Sequence, residues 1–291
     1  MNQTMNEKWG NPQQKLFGLP QFLMWFTFFA TMLSVALLTA RFAVVANLFF
    51  NVVCGVLVLI FCKPVMFERL KLTTLLTLRG AIAVFVIFKW NGAIYTDLVR
   101  ILLVINILEA TFTDFLKNKQ YLNGVSGIAL AVGVIGLTGS WDIEAEAMYH
   151  IQGAILASTI FYAVGYTIWN WIFVSGEFSP SVTLMHVGFL SAPIVGSIIM
   201  WAITKDAMVG WSFWLLFRAN TLTFGGIMQI GAKNYWEENL YNDKFSKFID
   251  FTHKNWVQVV CMIICVALMA AVIVLRFTHG TFESCGGFLP F

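Results

Sequence analysis

The chain alternates between long apolar stretches and short polar connectors. Each stretch is about as long as the roughly 20 residues that an α-helix needs to cross the hydrocarbon core of a bilayer. The stretches lie near residues 21–40, 42–62, 72–90, 93–116, 122–138, 147–174, 179–203, 211–231 and 255–277. The pattern predicts an all-α protein, a single polytopic transmembrane helical bundle of about nine spans.

The composition excludes an ordinary soluble domain. Hydrophobic residues make up 59% of the 291 positions and charged residues only 11%, with a mean hydropathy of +0.77. A globular domain has about 45–50% apolar and about 25% charged residues. The net charge of +3 forms no basic stripe, so we expect a lipid bilayer and no nucleic acid as the partner.

The charges of the connectors predict the orientation in the membrane. Eleven basic residues lie in the N-terminal tail and the even-numbered connectors, against four in the odd-numbered ones. Cytoplasmic loops carry an excess of lysine and arginine, so the N-terminus is expected inside and, after nine spans, the C-terminus outside. The sequence therefore predicts a multi-pass protein of the cytoplasmic (inner) membrane.

The domain organisation is simple. We expect a cytoplasmic tail over 1–20, one transmembrane domain over 21–277 and an extracytoplasmic tail over 278–291. The connector over 232–254 mixes aromatic residues with many charges, a pattern typical of an amphipathic helix at the cytoplasmic interface. A solvated loop with a few anchoring side chains is the alternative.

Ionisable residues inside the predicted spans are the main candidates for function, because burying them in lipid is costly. These residues are Arg79, Asp97, Arg100, Glu109, Asp114, His186 and Arg218. The orientation places Arg79, Asn106, Glu109, Asn170 and His186 at one depth, in the inner half of the membrane. Asn106 and Glu109 share a helix face.

Two intramembrane ion pairs are predicted. The third and fourth spans form a tight hairpin that places Arg79 opposite about residue 103, so Arg79 and Glu109 are expected to pair. Asp97 and Arg100, three residues apart, are expected to pair near the outer surface. Each pair either serves function or simply satisfies buried charges and sets helix register.

Two aromatic stripes follow the sixth and eighth spans. One contains Tyr166, Trp169 and Asn170, and the other contains Trp214 and Arg218. Aromatic walls with a few polar groups suit a pocket for a small molecule, whereas the alternative is ordinary helix packing or an interfacial belt.

No catalytic or cofactor motif is found. Motifs for a serine hydrolase, a zinc protease or nucleotide binding are absent, and the five cysteines form no metal-binding pattern. We therefore predict no cofactor and no metal, and an enzyme is less favoured than a non-enzyme.

Four segments carry a family resemblance. They are INILEATFTDF (105–115), NGVSGI (123–128), YTIWN (166–170) and RANTL (218–222). From about the fourth to the eighth span, the chain resembles an uncharacterised family of bacterial multi-spanning membrane proteins, a domain of unknown function. The resemblance implies a bacterial cytoplasmic-membrane setting.

Transport or conduction of a small solute or ion is the favoured function. The expected path is lined by Asn106, Glu109, Tyr166, Trp169, Asn170, His186 and Arg218. Glu109 is expected to change its charge during the cycle. The alternatives are an intramembrane enzyme on lipid-like substrates, with Glu109 and His186 as acid and base, and a membrane-embedded sensor or scaffold. A homo-oligomer is one alternative for the assembly.

Overall fold

The computed structural model describes residues 17–62, 66–88, 93–137, 141–144, 148–151 and 155–279. This part of the chain is helical apart from one two-stranded hairpin, as the sequence predicts in the main. Its helices are α1 (Leu19–Arg41), α2 (Ala43–Ala46), α3 (Cys54–Phe61), α4 (Met66–Ile87), α5 (Ala93–Thr113), α6 (Tyr121–Leu137), α7 (Leu156–Glu177), α8 (Pro180–Thr204), α9 (Ala207–Ser212), α10 (Trp214–Gly231), α11 (Lys233–Asn239), α12 (Asp243–Thr252) and α13 (Asn255–His279). A π-helical segment, Asn47–Val53, joins α2 to α3, and a second, Asp114–Asn118, extends α5.

The hairpin corrects one predicted boundary. Strands β1 (Trp141–Glu144) and β2 (Met148–Ile151) pair antiparallel, with Trp141 opposite Ile151. The sixth apolar stretch was expected to begin its helix near 147, but α7 begins only at Leu156. Tyrosine and isoleucine favour strands, so the first residues of that stretch extend the hairpin instead of the helix.

Polar caps set several helix starts. The side chain of Ser179 accepts a hydrogen bond from the backbone of Val182 at the start of α8. Asp206 caps α9 by accepting from Met208 N at 2.8 Å, and Asn242 caps α12 by accepting from Lys244 N at 3.0 Å. These side chains satisfy N–H groups that have no partner within the helix.

Two apolar clusters form the core. The first packs side chains of α6, α7 and α13, such as Leu130 and Met269, and the second packs α1, α4 and α8, such as Phe28 and Leu72. Helix α10 contributes to both, with Phe217 in the first cluster and Phe224 in the second. It therefore lies between the two halves of the core.

Helices α6 and α13 approach closely through glycine. A Cβ atom added at Gly136 would lie 2.8 Å from the carbonyl oxygen of Val272, and one at Gly133 would lie 2.5 Å from the sulfur of Met269. Small residues at such positions let two helix backbones come into van der Waals contact, the main source of helix association in lipid.

Three of the described helices are both long and apolar enough to cross a membrane: α1, α8 and α13. The apolar stretch of α13 is only 17% buried within the protein. The large side chains of Ile263 and Val274 are among those left exposed. An apolar surface of this kind requires a covering, and a lipid bilayer supplies one.

The connector over 232–254 folds as two short helices. Helix α12 buries Ser246, Ile249 and Thr252 on one face and exposes its charged residues on the other. Phe248, half exposed, and Phe245 pack against Trp171 of α7, with ring centroids 5.7 and 5.8 Å apart.

Candidate functional site

A small, partly open pocket with a cavity volume of about 50 Å³ lies between α4, α7, α8 and α10. We call it the α10 pocket. Its polar lining residues are Lys71, Asn170, His186 and Gln229, and the aromatic ones are Phe173, Phe178 and Phe189. Small-molecule sites combine apolar walls with a few oriented polar groups in this way.

Helical spacing on α10 produces one wall of the pocket. Leu222, Gly226 and Gln229 recur at intervals of four and three residues and so share a face. Arg218 lies one turn before Leu222 on the same face. A Cβ atom added at Gly226 would have no heavy atom within 4 Å, so the glycine leaves space in the wall.

His186 is buried and held on three sides. Its Nε2 lies 3.0 Å from Oε1 of Gln229, an arrangement in which the ring donates to the amide oxygen. The ring stacks on Phe178 at 5.1 Å and contacts Phe189 at 4.5 Å. The imidazole therefore has a defined orientation in the pocket wall.

Lys71 brings a positive charge to the pocket. Its Nζ lies 5.0 Å from the centre of the Phe173 ring, within the range of a cation–π interaction. Glu109 attracts this ammonium group electrostatically, and Arg218 repels it. Glu109 itself does not line the pocket.

A second group, the arginine cluster, consists of Tyr166, Trp169, Asn170, Trp214 and Arg218. The guanidinium of Arg218 donates through Nη2 to Oδ1 of Asn170 at 3.1 Å and lies 5.3 Å from the Tyr166 ring centre. Trp169 and Trp214 pack edgewise on Tyr166, at 5.4 and 5.6 Å. All five residues are at most 3% exposed. Asn170 belongs to the cluster and to the pocket lining, so the two are contiguous.

The structure gives Arg79 and Glu109 partners on different helices. Nε of Arg79 donates to Oγ1 of Thr223 on α10 at 3.3 Å, and Glu109 accepts from Oγ1 of Thr74 at 3.0 Å. The pairing of Thr74 with Glu109 agrees with the hairpin register expected for the third and fourth spans. The ion pair between Arg79 and Glu109 stays a prediction.

The remaining candidates lie apart from the pocket. Asn106 is buried on α5. Asp114 is also buried, and its carboxylate accepts from Nδ2 of Asn123 at 2.7 Å. The side chains of Asp97 and Arg100 lie outside the described part of the structure, so their predicted pairing stays a prediction.

Sequence reasoning found Asn170, His186 and Arg218 because polar residues inside apolar stretches are conspicuous. It missed Lys71 and Gln229. Lys71 lies one residue before a predicted span and was counted as a connector charge. Gln229 lies inside the eighth predicted span, where an uncharged amide attracts less notice than an ionisable group, although it was equally visible in the sequence.

Among the described residues, no group of three or more histidine, cysteine, aspartate or glutamate side chains could hold a metal ion. A scan against protein-family models, a search of curated proteins and a search of solved structures found no match to this chain. The family resemblance described above therefore stays a prediction, and the function is argued from the geometry alone.

Proposed function

We propose that the protein is a multi-pass membrane protein that moves a small solute or ion across a bacterial cytoplasmic membrane. It has nine spans, with the N-terminus inside and the C-terminus outside. The α10 pocket is its solute-binding site. The single observation that carries this proposal is the continuity between the pocket and the buried arginine cluster through Asn170.

The positions of the connectors support the proposed order of the spans. The hydrogen bonds from Ser181 to the backbone of Glu237 and between Ser175 and His253 hold the end of α7, the start of α8 and the α11–α13 connectors at one end of the bundle. Strand β2 lies beside α1 and α9. The hairpin and the α12 region belong to connectors on opposite sides in the nine-span arrangement.

The direction of the pocket supports a transport path. Lys71 and Phe178 lie at helix ends that the proposed orientation places at the cytoplasmic side. From Gln229 to Arg218, α10 rises about 16 Å, at about 1.5 Å per residue. The α10 pocket and the arginine cluster together thus cover about half of the hydrocarbon thickness of about 30 Å. A solute-binding site that lies partway along a transport path requires such a depth.

Glycine substitutions test the proposal. Gly226→Leu fills the pocket without a clash at Cβ, whereas Gly80→Leu, also in open space on α4, adds the same side chain away from the pocket lining. Purified protein in proteoliposomes is screened with amino acids, carboxylates, amines and inorganic ions, and solute-dependent currents are recorded. We expect Gly226→Leu to abolish the current of the wild-type protein and Gly80→Leu to retain it.

A current that survives Gly226→Leu unchanged would show that the α10 pocket is not on the path. Size-exclusion chromatography of both variants controls for folding. Absence of current for every solute tested, in a protein that still binds one of them, would exclude electrogenic transport of that solute.

A further inference from the structure

Buried hydrogen-bond donors without acceptors collect in the arginine cluster. Nε and Nη1 of Arg218, which together carry three of the five guanidinium N–H groups, have no hydrogen-bond partner among the described residues. The indole nitrogens of Trp169 and Trp214 are likewise buried without a partner there. Both indoles pack on Tyr166, whose ring also lies beneath Arg218.

The charge of Arg218 is also unbalanced. The guanidinium is 2% exposed, and within the described residues it forms no ion pair. Its one bonded partner, Asn170, is a neutral amide. Buried charges in proteins are normally paired, because an uncompensated charge inside a membrane protein costs several kcal/mol.

The adjoining α10 pocket contains a second positive charge and has apolar walls. Lys71 lies in the pocket wall, and Glu109 on α5 attracts its ammonium group more strongly than any other carboxylate does. Phe173, Phe178 and Phe189 line the walls of the same pocket. A ligand that meets both requirements has one anionic group and an apolar or aromatic remainder.

The geometry points to a carboxylate-bearing apolar solute, with its carboxylate at Arg218 and Asn170 and its apolar part between the phenylalanines of the α10 pocket. This inference rests on the proposed function insofar as the pocket is the solute site, and it adds the chemical class. A dissolved monocarboxylate and a fatty acid drawn from the membrane share this chemistry.

Binding in detergent tests the class without requiring transport. Benzoate is titrated by calorimetry in low-salt buffer, with neutral benzamide, which has the same shape, and cationic benzylamine, which has the opposite charge, as comparison ligands. We expect benzoate to bind at least about 30-fold tighter than either, because both leave the buried guanidinium without its counter-charge. Octanoate in solution tests a dissolved monocarboxylate, and palmitate in nanodiscs tests a fatty acid drawn from the membrane. Binding of either supports a carboxylate-bearing apolar ligand.

The Arg218→Met variant tests whether the guanidinium binds the carboxylate. It removes the charge but keeps a long apolar side chain, so we expect affinity for benzoate to fall at least about 30-fold. The thermal midpoint without ligand is expected to stay level or rise, since an uncompensated buried charge has been removed. Arg69→Met, at an exposed position on α4, is expected to change neither value.

Several results would overturn the inference. Equal binding of benzamide or benzylamine, unchanged benzoate affinity in Arg218→Met, or no binding of any carboxylate would each do so.

A lower thermal midpoint in ligand-free Arg218→Met would indicate that Arg218 stabilises the fold. Arg218→Lys keeps the positive charge, and its benzoate affinity then shows whether binding depends on that charge or on the stability of the fold. Benzoate binding without current would refute electrogenic transport of benzoate but keep the carboxylate class. A current carried only by benzylamine would support transport but refute the carboxylate class.

Discussion

At the residue scale, a proline explains one contact between helices. Pro193 lies inside α8 and has no backbone N–H, so the carbonyl of Phe189, four residues earlier, has no donor within its own helix. The hydroxyl of Thr221 on α10 lies 3.1 Å from this carbonyl oxygen, and equally far from that of Arg218 in its own helix. A neighbouring helix can thus supply the missing donor, as membrane proteins require.

Removing this hydroxyl should destabilise the bundle. We expect Thr221→Val to lower the free energy of unfolding by about 1 kcal/mol, the typical net value of one hydrogen bond. Chemical unfolding in detergent measures the change. Thr27→Val, where the hydroxyl bonds only its own helix at an exposed position, should have an effect within about 0.5 kcal/mol.

A double-mutant cycle identifies the mechanism. In Pro193→Ala the backbone of residue 193 again donates to Phe189, so Thr221→Val should cost less in that background. Equal costs in both backgrounds would show that the hydroxyl does not compensate for the proline.

At the scale of elements, a chain of buried polar side chains joins α1, the π-helical segment and α10. Nδ2 of Asn51 donates to Oδ1 of Asn220 at 3.1 Å, and Nδ2 of Asn220 donates to Oγ1 of Thr39. All three residues are fully buried. Asn220 therefore fixes the position of both segments against α10.

Replacing the central member should loosen this junction. Asn220→Leu removes both hydrogen bonds and is expected to lower the free energy of unfolding by about 2 kcal/mol, the sum of two net contributions. Hydrogen exchange followed by mass spectrometry should show faster exchange over 43–61. Asn234→Leu, at an exposed site on α11, should leave both measurements unchanged; a uniform increase across the chain would argue against a local junction.

At the scale of the whole molecule, exposed lysines mark the two ends of the bundle. Lys244 and Lys247 of α12 are exposed at the end proposed to be cytoplasmic, and the single residue Lys205 ends α8 at the other. Excess lysine on the cytoplasmic side orients polytopic proteins, so the orientation has a direct test.

Single cysteines introduced into a cysteine-free background report the orientation. We expect a membrane-impermeant maleimide to label Lys205→Cys in intact spheroplasts, and to label Lys244→Cys only after permeabilisation. The reverse pattern would invert the proposed orientation, and labelling of both in intact cells would contradict the number of spans between them.

Much of the fold was predictable because lipid imposes a simple rule on sequence. A run of about 20 apolar residues has few alternatives to a helix, and each of the nine predicted stretches contains helix in the described part of the chain, although the sixth begins with a strand. Only three of these helices are both long and apolar enough to cross a membrane, so the number of spans stays a prediction. The hairpin was not predicted, although Trp141–Glu144 alternates apolar and polar residues as a strand does, because each strand has only four residues and the second, Met148–Ile151, lies at the start of an apolar stretch that fits either a strand or a helix.

The sequence by itself determined where most of the helices lie, that the chain is strongly apolar and that a few polar groups lie inside its apolar stretches. Only the tertiary structure decided which polar groups meet. Asn170 and Arg218 are 48 residues apart, and the sequence places neither opposite the other. Periodicity defines the face of one helix, whereas the rotation and neighbours of that helix depend on packing against all the others. The α10 pocket, with Lys71 and Gln229 in its wall, exists only at that level.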